Sequence, residues 1–138
     1  MTTLTFRVRG MDFTNAGEVG AKLKRILHQI GFEREVTRRA AVAAYEMEIN
    51  IVIHAYEGEV RVRIFDTGVE IIAEDRGPGI PDIELAMQEG YSTAPPEVWK
   101  MGFGAGMGLP NIRKCSDIFE ISSEVGKGTH VRSVVLRG

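Results

Sequence analysis

The chain has 138 residues, 43% of them hydrophobic and 26% charged, which predicts one domain over residues 1–138 with an ordinary hydrophobic core. The net charge of −2 gives no electrostatic case for a nucleic-acid partner or an anionic membrane surface. A single cysteine, no signal-peptide pattern and no apolar run of roughly 20 residues disfavour disulfide-bonded, secreted and membrane-spanning classes, so we expect a cytoplasmic protein.

The first quarter of the chain predicts a strand and a helix. Residues 4–9 alternate weakly between apolar and polar side chains and suit a strand. Asn15 followed by Glu18 matches a capping box, with asparagine in place of serine or threonine, and predicts a helix that Gly31 ends. That helix is expected to bury an apolar stripe made of Val19, Leu23, Ile26, Leu27 and Ile30.

A second helix is predicted from Glu33 to Tyr56, with Gly58 as its stop. At roughly 100° per residue, its apolar stripe consists of Val42, Tyr45, Ile49, Val52 and Tyr56. Polar residues one turn apart stack on the flank of this stripe, namely Glu46, Asn50 and His54. Such groups either lie at the rim in water or face something polar. Glu48 lies well round the helix from Glu46 and is predicted to be a solvated charge.

The second half of the chain predicts four strands and two helices around a long loop. Two hairpins are expected, and their strands cover residues 60–64 with 69–74 and 117–123 with 129–136. Between them, Asp82 can cap a short helix to about Glu89, and a further helix runs from Gly108 to Ser116. Residues 90–108 form a long loop, which in a compact domain is typical of a functional lid or of disorder.

This order of elements predicts an α+β fold in the form of a two-layer α/β sandwich. Strands joined by hairpins are antiparallel, so we expect a mixed, mostly antiparallel sheet with the helices on one face. A doubly wound Rossmann fold is disfavoured because it repeats strand-helix-strand units.

Three glycine motifs in the second half have both a functional and a purely structural interpretation. Gly104-Ala105-Gly106-Met107-Gly108-Leu109 precedes a predicted helix and exposes amides that favour phosphates, but a flexible loop of this kind needs no function. Asp75-x-Gly77-x-Gly79 places a carboxylate at a strand end, where it either caps a turn or accepts a hydrogen bond from the amine of a flat base. Gly126-Lys127-Gly128-Thr129 taken alone is a hairpin turn.

The combination of motifs is more specific than any one of them. In chain order, the chain contains Glu46-x-x-x-Asn50, Asp75-x-Gly77-x-Gly79, Gly104-x-Gly106-x-Gly108 and Gly126-x-Gly128-Thr129. This order resembles the motif set of the GHKL superfamily, which contains gyrase, the Hsp90 chaperones, histidine kinases and MutL. Within it, the chain is most similar to the bacterial anti-sigma-factor serine/threonine kinases and the stressosome switch kinases. The stretches that carry this finer resemblance are residues 71–83, 89–93 and 104–110.

The resemblance implies the Bergerat ATP-binding fold and a role for each matching residue. Glu46 matches the general base, Asn50 the Mg²⁺ ligand, and Asp75 the carboxylate that recognises adenine, supported by the hydroxyl of Thr129. Residues expected beside the base are Gly77, Gly79 and Ile80. Residues expected along the phosphates are Gly104, Ala105, Gly106, Met107, Gly108 and Leu109. The ligands implied are therefore ATP or ADP and Mg²⁺.

The resemblance also implies partners and leaves several alternatives open. The first hypothesis is a switch kinase that phosphorylates a STAS-domain antagonist, with a PP2C-type phosphatase as a further partner. The second is an anti-sigma factor that sequesters a sigma factor and phosphorylates an anti-anti-sigma factor, and the third a detached histidine-kinase catalytic domain. The sequence leaves the oligomeric state open, a homodimer included. The chain departs from the switch-kinase pattern over residues 94–103, which contain two prolines and the only tryptophan.

Overall fold

A single five-stranded sheet organises the protein, whose computed structural model describes residues 1–88 and 108–138. The strand order is β1-β2-β3-β5-β4. The strands are β1 (Thr2–Arg9), β2 (Glu57–Phe65), β3 (Gly68–Arg76), β4 (Ile118–Glu124) and β5 (Gly128–Leu136). The described helices are α1 (Glu18–Gln29), α2 (Arg34–His54), α3 (Ile83–Ala86) and α4 (Gly108–Cys115).

Every pairing between the described strands is antiparallel. Arg9 at the end of β1 pairs with Glu57 at the start of β2. After β1, the helices α1 and α2 therefore bring the chain back to the edge of the sheet where β1 ends. The next strand, β2, starts there and runs antiparallel to β1. The α+β fold is confirmed, whereas the mixed character predicted for the sheet is wrong for the described strands.

One face of the sheet is buried beneath the helices. Alternate residues of the two central hairpin strands point to this face and are buried, namely Val60, Val62, Ile64, Val69, Ile71 and Ala73. Leu23 and Leu27 of α1, Met47 of α2 and Ile112 of α4 complete the same core. Arg61 and Arg63 alternate with the buried positions of β2 and are exposed, which is the period of two expected for a sheet covered on one side. On the same outer face, Glu70 is buried because Arg63 and Arg132 pair with it.

The start of α1 differs from the predicted capping box. The helix begins at Glu18 after Gly17, whose φ of +101° is left-handed and whose position has no side-chain cap. The side chain of Asn15 donates to Asp12 at 2.9 Å instead of capping the helix. The predicted burial of Val19, Leu23 and Leu27 is confirmed, but Ile30 lies at the C-cap and is 54% exposed.

Glu48 replaces the missing cap, and the prediction that it is a solvated charge is wrong. Its residue surface is only 4% exposed, and Oε1 accepts hydrogen bonds from the amides of Gly17 (3.1 Å) and Val19 (3.3 Å). Burial raises the pKa of Glu48 to about 7, even though these two amides act in the opposite direction. The side of α2 opposite Glu46 therefore holds the N-terminus of α1.

The second helix is shorter than predicted, and its buried face is wider. It ends at His54, and Tyr56 lies outside it with 73% of its surface exposed. The amide of Tyr56 donates to the Arg76 carbonyl, and Gly58 belongs to β2 rather than stopping the helix. Residues beyond the predicted stripe are also buried, because α2 contacts α1, α4 and the sheet. These additional residues are Ala40, Ala43, Ala44, Met47 and Ile51.

The remaining helices begin where the sequence predicts. Asp82 caps α3 by accepting a hydrogen bond from the Leu85 amide at 3.1 Å, and α4 begins at Gly108. The helix α3 ends at Ala86 with Met87 as its C-cap, so the predicted end at about Glu89 is wrong. The predicted lid up to residue 107 lies outside the described residues. Among the helices that the structure describes, none has both the length and the hydropathy to cross a bilayer.

Candidate functional site

Two polar residues of α2, Glu46 and Asn50, lie against the N-terminal half of α4. Glu46 and Asn50 are both half-buried. The side-chain amide of Asn111 donates a hydrogen bond of 2.7 Å to Oε2 of Glu46. One turn further along α2, a Cβ added to Gly108 would lie only 3.0 Å from Oδ1 of Asn50. The two helices therefore run antiparallel here, and only a glycine leaves the Asn50 oxygen uncrowded.

A second part of the site forms around Asp75 at the end of β3. This carboxyl group is half-buried, and burial raises its pKa, although the hydrogen bond from the Thr129 amide at 3.1 Å acts to lower it. Its other oxygen, Oδ2, has no hydrogen-bond partner among the described residues. Among the described residues, the backbone of β5 therefore holds only one of the two carboxylate oxygens of Asp75.

The glycines after Asp75 allow two backbone segments to approach closely. Gly79 has a φ of +77°, and a Cβ on it would collide with the Glu124 carbonyl oxygen. A Cβ on Gly77 would lie 3.0 Å from Cα of Ala55. The sequence-based interpretation assigned these glycines to a flat base. The structure gives them a further reason, which is the packing of their loop against α2 and the β4–β5 turn.

Ser123 joins the two segments, and the sequence interpretation did not identify it. Its hydroxyl accepts a hydrogen bond from the Ile80 amide at 2.7 Å and donates to the Gly128 carbonyl at 2.9 Å. The Thr129 hydroxyl lies 2.9 Å away. Since a hydroxyl carries one proton, Ser123 can donate to Gly128 only if Thr129 donates to Ser123. Thr129 then keeps its lone pairs for a ligand or a water molecule.

The other predicted site residues divide into those the structure places and those it does not describe. Ile80 and Leu109 are half-buried, with Ile80 held by Ser123 and Leu109 packed against the core. Gly104, Ala105, Gly106 and Met107 lie outside the described residues. His54 is exposed at the C-terminal end of α2, where no described contact assigns it a role.

Asn111 and Ser123 differ in how visible they were in the sequence. Ser123 follows Phe119 and Ile121 at spacings of two, so a hydroxyl occupies an inward position of β4. That break in the apolar pattern was a usable signal. Asn111 is separated from Glu46 by 65 residues, and no local sequence pattern predicts the contact between them.

The described site thus combines an aspartate at a strand end with a helix that carries a carboxylate and a carboxamide one turn apart. That helix faces a second helix that begins at Gly108. Residues 11–135 match the histidine kinase-like ATPase domain family, and the chain belongs to that family. This agrees with the GHKL resemblance of the motifs.

The chain is also similar to individual proteins of known name or structure. The chain is 32% identical over 127 residues to the serine/threonine-protein kinase RsbT of Bacillus subtilis (strain 168), covering 89% of this chain and 87% of the relative. It is 38% identical over 95 residues to the anti-sigma F factor of Caldanaerobacter subterraneus subsp. tengcongensis, covering 65% of this chain and 63% of the relative. A chain in the crystal structure of the SiaB-SiaC complex from Pseudomonas aeruginosa has a similar fold, with a TM-score of 0.63, 18% identity and coverage of 96% and 89%.

Proposed function

We propose that this protein is an ATP-dependent serine/threonine protein kinase that phosphorylates a STAS-domain protein in a bacterial stress or sigma-factor pathway. The observation that carries the proposal is the pairing of α2 with α4, which sets Glu46 and Asn50 along a helix that begins with Gly108. The likeness to RsbT, a serine/threonine-protein kinase by name, supports the same reaction. The single, unpaired Cys115 fits a cytoplasmic setting.

Glu46 is the general base of this proposal. It takes the proton from the attacking serine or threonine hydroxyl while the oxygen forms a bond to the γ-phosphorus and the bond to the ADP oxygen breaks. Asn111 donates a hydrogen bond to Oε2 of Glu46, and in this proposal Oε1 takes the proton from the hydroxyl. General-base catalysis of this kind contributes about 10²–10⁴-fold to a rate.

Asn50 would hold Mg²⁺ through its amide oxygen. A neutral oxygen suits a hard cation whose other ligands are phosphates and waters, and Gly108 leaves this oxygen unobstructed by a side chain. When bound, Mg²⁺ neutralises negative charge on the phosphates. The amides of the glycine motif from Gly104 to Gly108 would lie along the same phosphates.

Asp75 would recognise the adenine amine through Oδ2, with the Thr129 hydroxyl as a second polar contact. Both groups are aligned by protein hydrogen bonds before a ligand arrives, since Thr129 contacts Asp75 through its amide and Ser123 through its hydroxyl. Such prior alignment reduces the entropy lost on binding. The Ile80 amide is also held by Ser123, which keeps this residue beside the base.

The test of the proposal is phosphotransfer to STAS-domain proteins encoded near this gene. Incubation with Mg-ATP should give acid-stable phosphoserine or phosphothreonine on one of them. An acid-labile phosphohistidine product would instead favour a histidine-kinase catalytic domain. Absence of any transfer from a preparation that binds ATP would contradict the kinase proposal.

A second candidate function is that of an anti-sigma factor, which the similarity to the anti-sigma F factor favours. Both candidates share the ATP site, so the site cannot separate them. Affinity capture against purified sigma factors, STAS proteins and PP2C-type phosphatases can do so. Binding of a phosphatase and a STAS protein alone supports the switch kinase, and stable capture of a sigma factor supports the alternative.

A further inference from the structure

Asn111 is the described residue that contacts the carboxylate of Glu46 directly. We infer that Asn111 is a positioning residue for phosphoryl transfer, which fixes Glu46 in the rotamer that points Oε1 at the attacking hydroxyl. This inference rests on the proposed role of Glu46 as the general base. It assigns a function to a residue outside the four motifs by which the family resemblance is recognised.

The chemistry of the contact supports positioning. The distance of 2.7 Å between Nδ2 of Asn111 and Oε2 of Glu46 is short for an N–H···O hydrogen bond, as expected when the acceptor is charged. A carboxylate only accepts hydrogen bonds, so the amide must present its NH₂ group and not its oxygen. A neutral donor also holds the base without forming an ion pair, which a lysine or arginine at this position would do.

The residues on either side of Asn111 anchor its helix in the core. It lies between Pro110 and Ile112, both buried, and Ile112 has no exposed surface. The same helix places Gly108 against Asn50. The same helix therefore sets the orientation of the proposed base and the free space beside the proposed metal ligand.

The first measurement is the steady-state kinetics of STAS-protein phosphorylation by Asn111→Leu, which keeps most of the volume but removes the donor. The expected result is a fall in kcat of about 10²-fold, the order caused by misplacing a reacting group by about 1 Å. The KM for ATP should be unchanged. Asn111→Gln, which retains the amide, should recover part of the loss. Arg113→Ala, an exposed change on the same helix, is the matched control. A kcat for Asn111→Leu equal to that of the wild type would overturn the inference.

A double-mutant comparison tests whether Asn111 acts through Glu46. In a Glu46→Gln background the base is already absent, so adding Asn111→Leu should cause no further loss of the residual rate. A further loss as large as in the wild-type background would show that Asn111 acts on another group, which would overturn the inference.

A crystal structure of Asn111→Leu provides a readout that does not depend on the reaction. The carboxylate of Glu46 is expected in more than one rotamer, or in one that differs from the wild type. An unchanged single rotamer would overturn the positioning role. If wild-type protein phosphorylates no STAS protein, the proposed function fails, and this structural comparison still decides whether Asn111 orients the Glu46 carboxylate.

Discussion

Ser123 shows at the scale of one residue how the site around Asp75 is held together. One hydroxyl contacts the Ile80 amide, the Gly128 carbonyl and the Thr129 hydroxyl, so it links the loop after β3 to the turn between β4 and β5. The neighbouring Ser122 points to the opposite face of β4 and is exposed. Of the two adjacent serines, only Ser123 can reach these groups, because successive side chains of a strand face opposite sides of the sheet.

Ser123→Ala should lower both stability and ATP affinity. The change leaves the Ile80 amide and the Gly128 carbonyl without their partner, which costs about 1–3 kcal/mol when such groups are buried. ATP affinity should fall because Thr129 and Ile80 lose their alignment beside Asp75. Thermal unfolding and calorimetric titration with ATP measure the two effects. Ser122→Ala is the control and should leave both unchanged, and equal behaviour of the two variants would contradict the role of Ser123.

At the scale of elements, the N-terminus of α1 depends on a side chain from α2. Oε1 of Glu48 accepts the amides of Gly17 and Val19, which have no acceptor in their own helix. Three further charged groups line the cavity beside it, namely Arg7, Asp12 and Glu18. Burial raises the pKa of Glu48 to about 7, and the charges of Glu18 and Asp12 add to this effect.

Glu48 should make stability fall as the pH rises. The pKa in the folded state, about 7, lies above the ordinary value of 4.5, so the folded protein binds more protons than the unfolded chain between these values. The stabilisation is complete below pH 4.5 and is lost as the pH rises through 7. Glu48→Gln keeps the acceptor oxygen and should lack this fall, as measured by urea unfolding at several pH values. Identical pH profiles of the variant and the wild type would contradict the assignment.

A second comparison at Glu48 separates the effect of its hydrogen bonds to the N-terminus of α1 from the effect of its charge. Glu48→Ala removes the acceptor and should be less stable than Glu48→Gln by about 1–3 kcal/mol, because two helix-terminal amides lose their partner. Hydrogen exchange at Gly17 and Val19 should be faster in Glu48→Ala alone.

The elements were more predictable than the contacts between them. The strands and the body of α2 followed from periods of two and 3.6, because burial of one face imposes these periods on the sequence. The capping box at Asn15 failed because the actual acceptor, Glu48, lies 31 residues from Gly17. The hydrogen bond between Asn111 and Glu46 was equally invisible, since it spans 65 residues. Ser123 was visible as a polar side chain on the inward face of β4, although only the structure shows which groups it joins.

At the scale of the whole molecule, Arg39 joins α2 to the end of α4 and to the end of β5. Its guanidinium group donates to the Cys115 carbonyl at the end of α4, the Leu136 carbonyl at the end of β5, and the Asp117 carboxylate. Asp117 also accepts the Leu136 amide at 2.7 Å. The preceding Arg38 instead pairs with Glu35 within α2 and is 58% exposed.

Arg39→Ala should destabilise the fold, and Arg38→Ala should not. Hydrogen bonds to charged groups contribute about 1.5–3 kcal/mol, and the Arg39 side chain is only 20% exposed. Exposed pairs such as Arg38 with Glu35 contribute little to stability, because water screens the charges and holding both side chains in place costs entropy. Chemical denaturation of both variants measures the difference, and equal losses of stability would contradict the bridging role of Arg39.

The most direct test of the proposed catalytic site is the single-turnover rate of phosphotransfer by Glu46→Gln from saturating Mg-ATP to the STAS substrate. The rate should fall by about 10²–10⁴-fold, the range typical for loss of a general base. ATP affinity, measured in parallel by calorimetry, should stay at the wild-type value because Asp75 and the phosphate-binding amides are intact. Transfer at the wild-type rate by Glu46→Gln would contradict the assignment of Glu46 as the base.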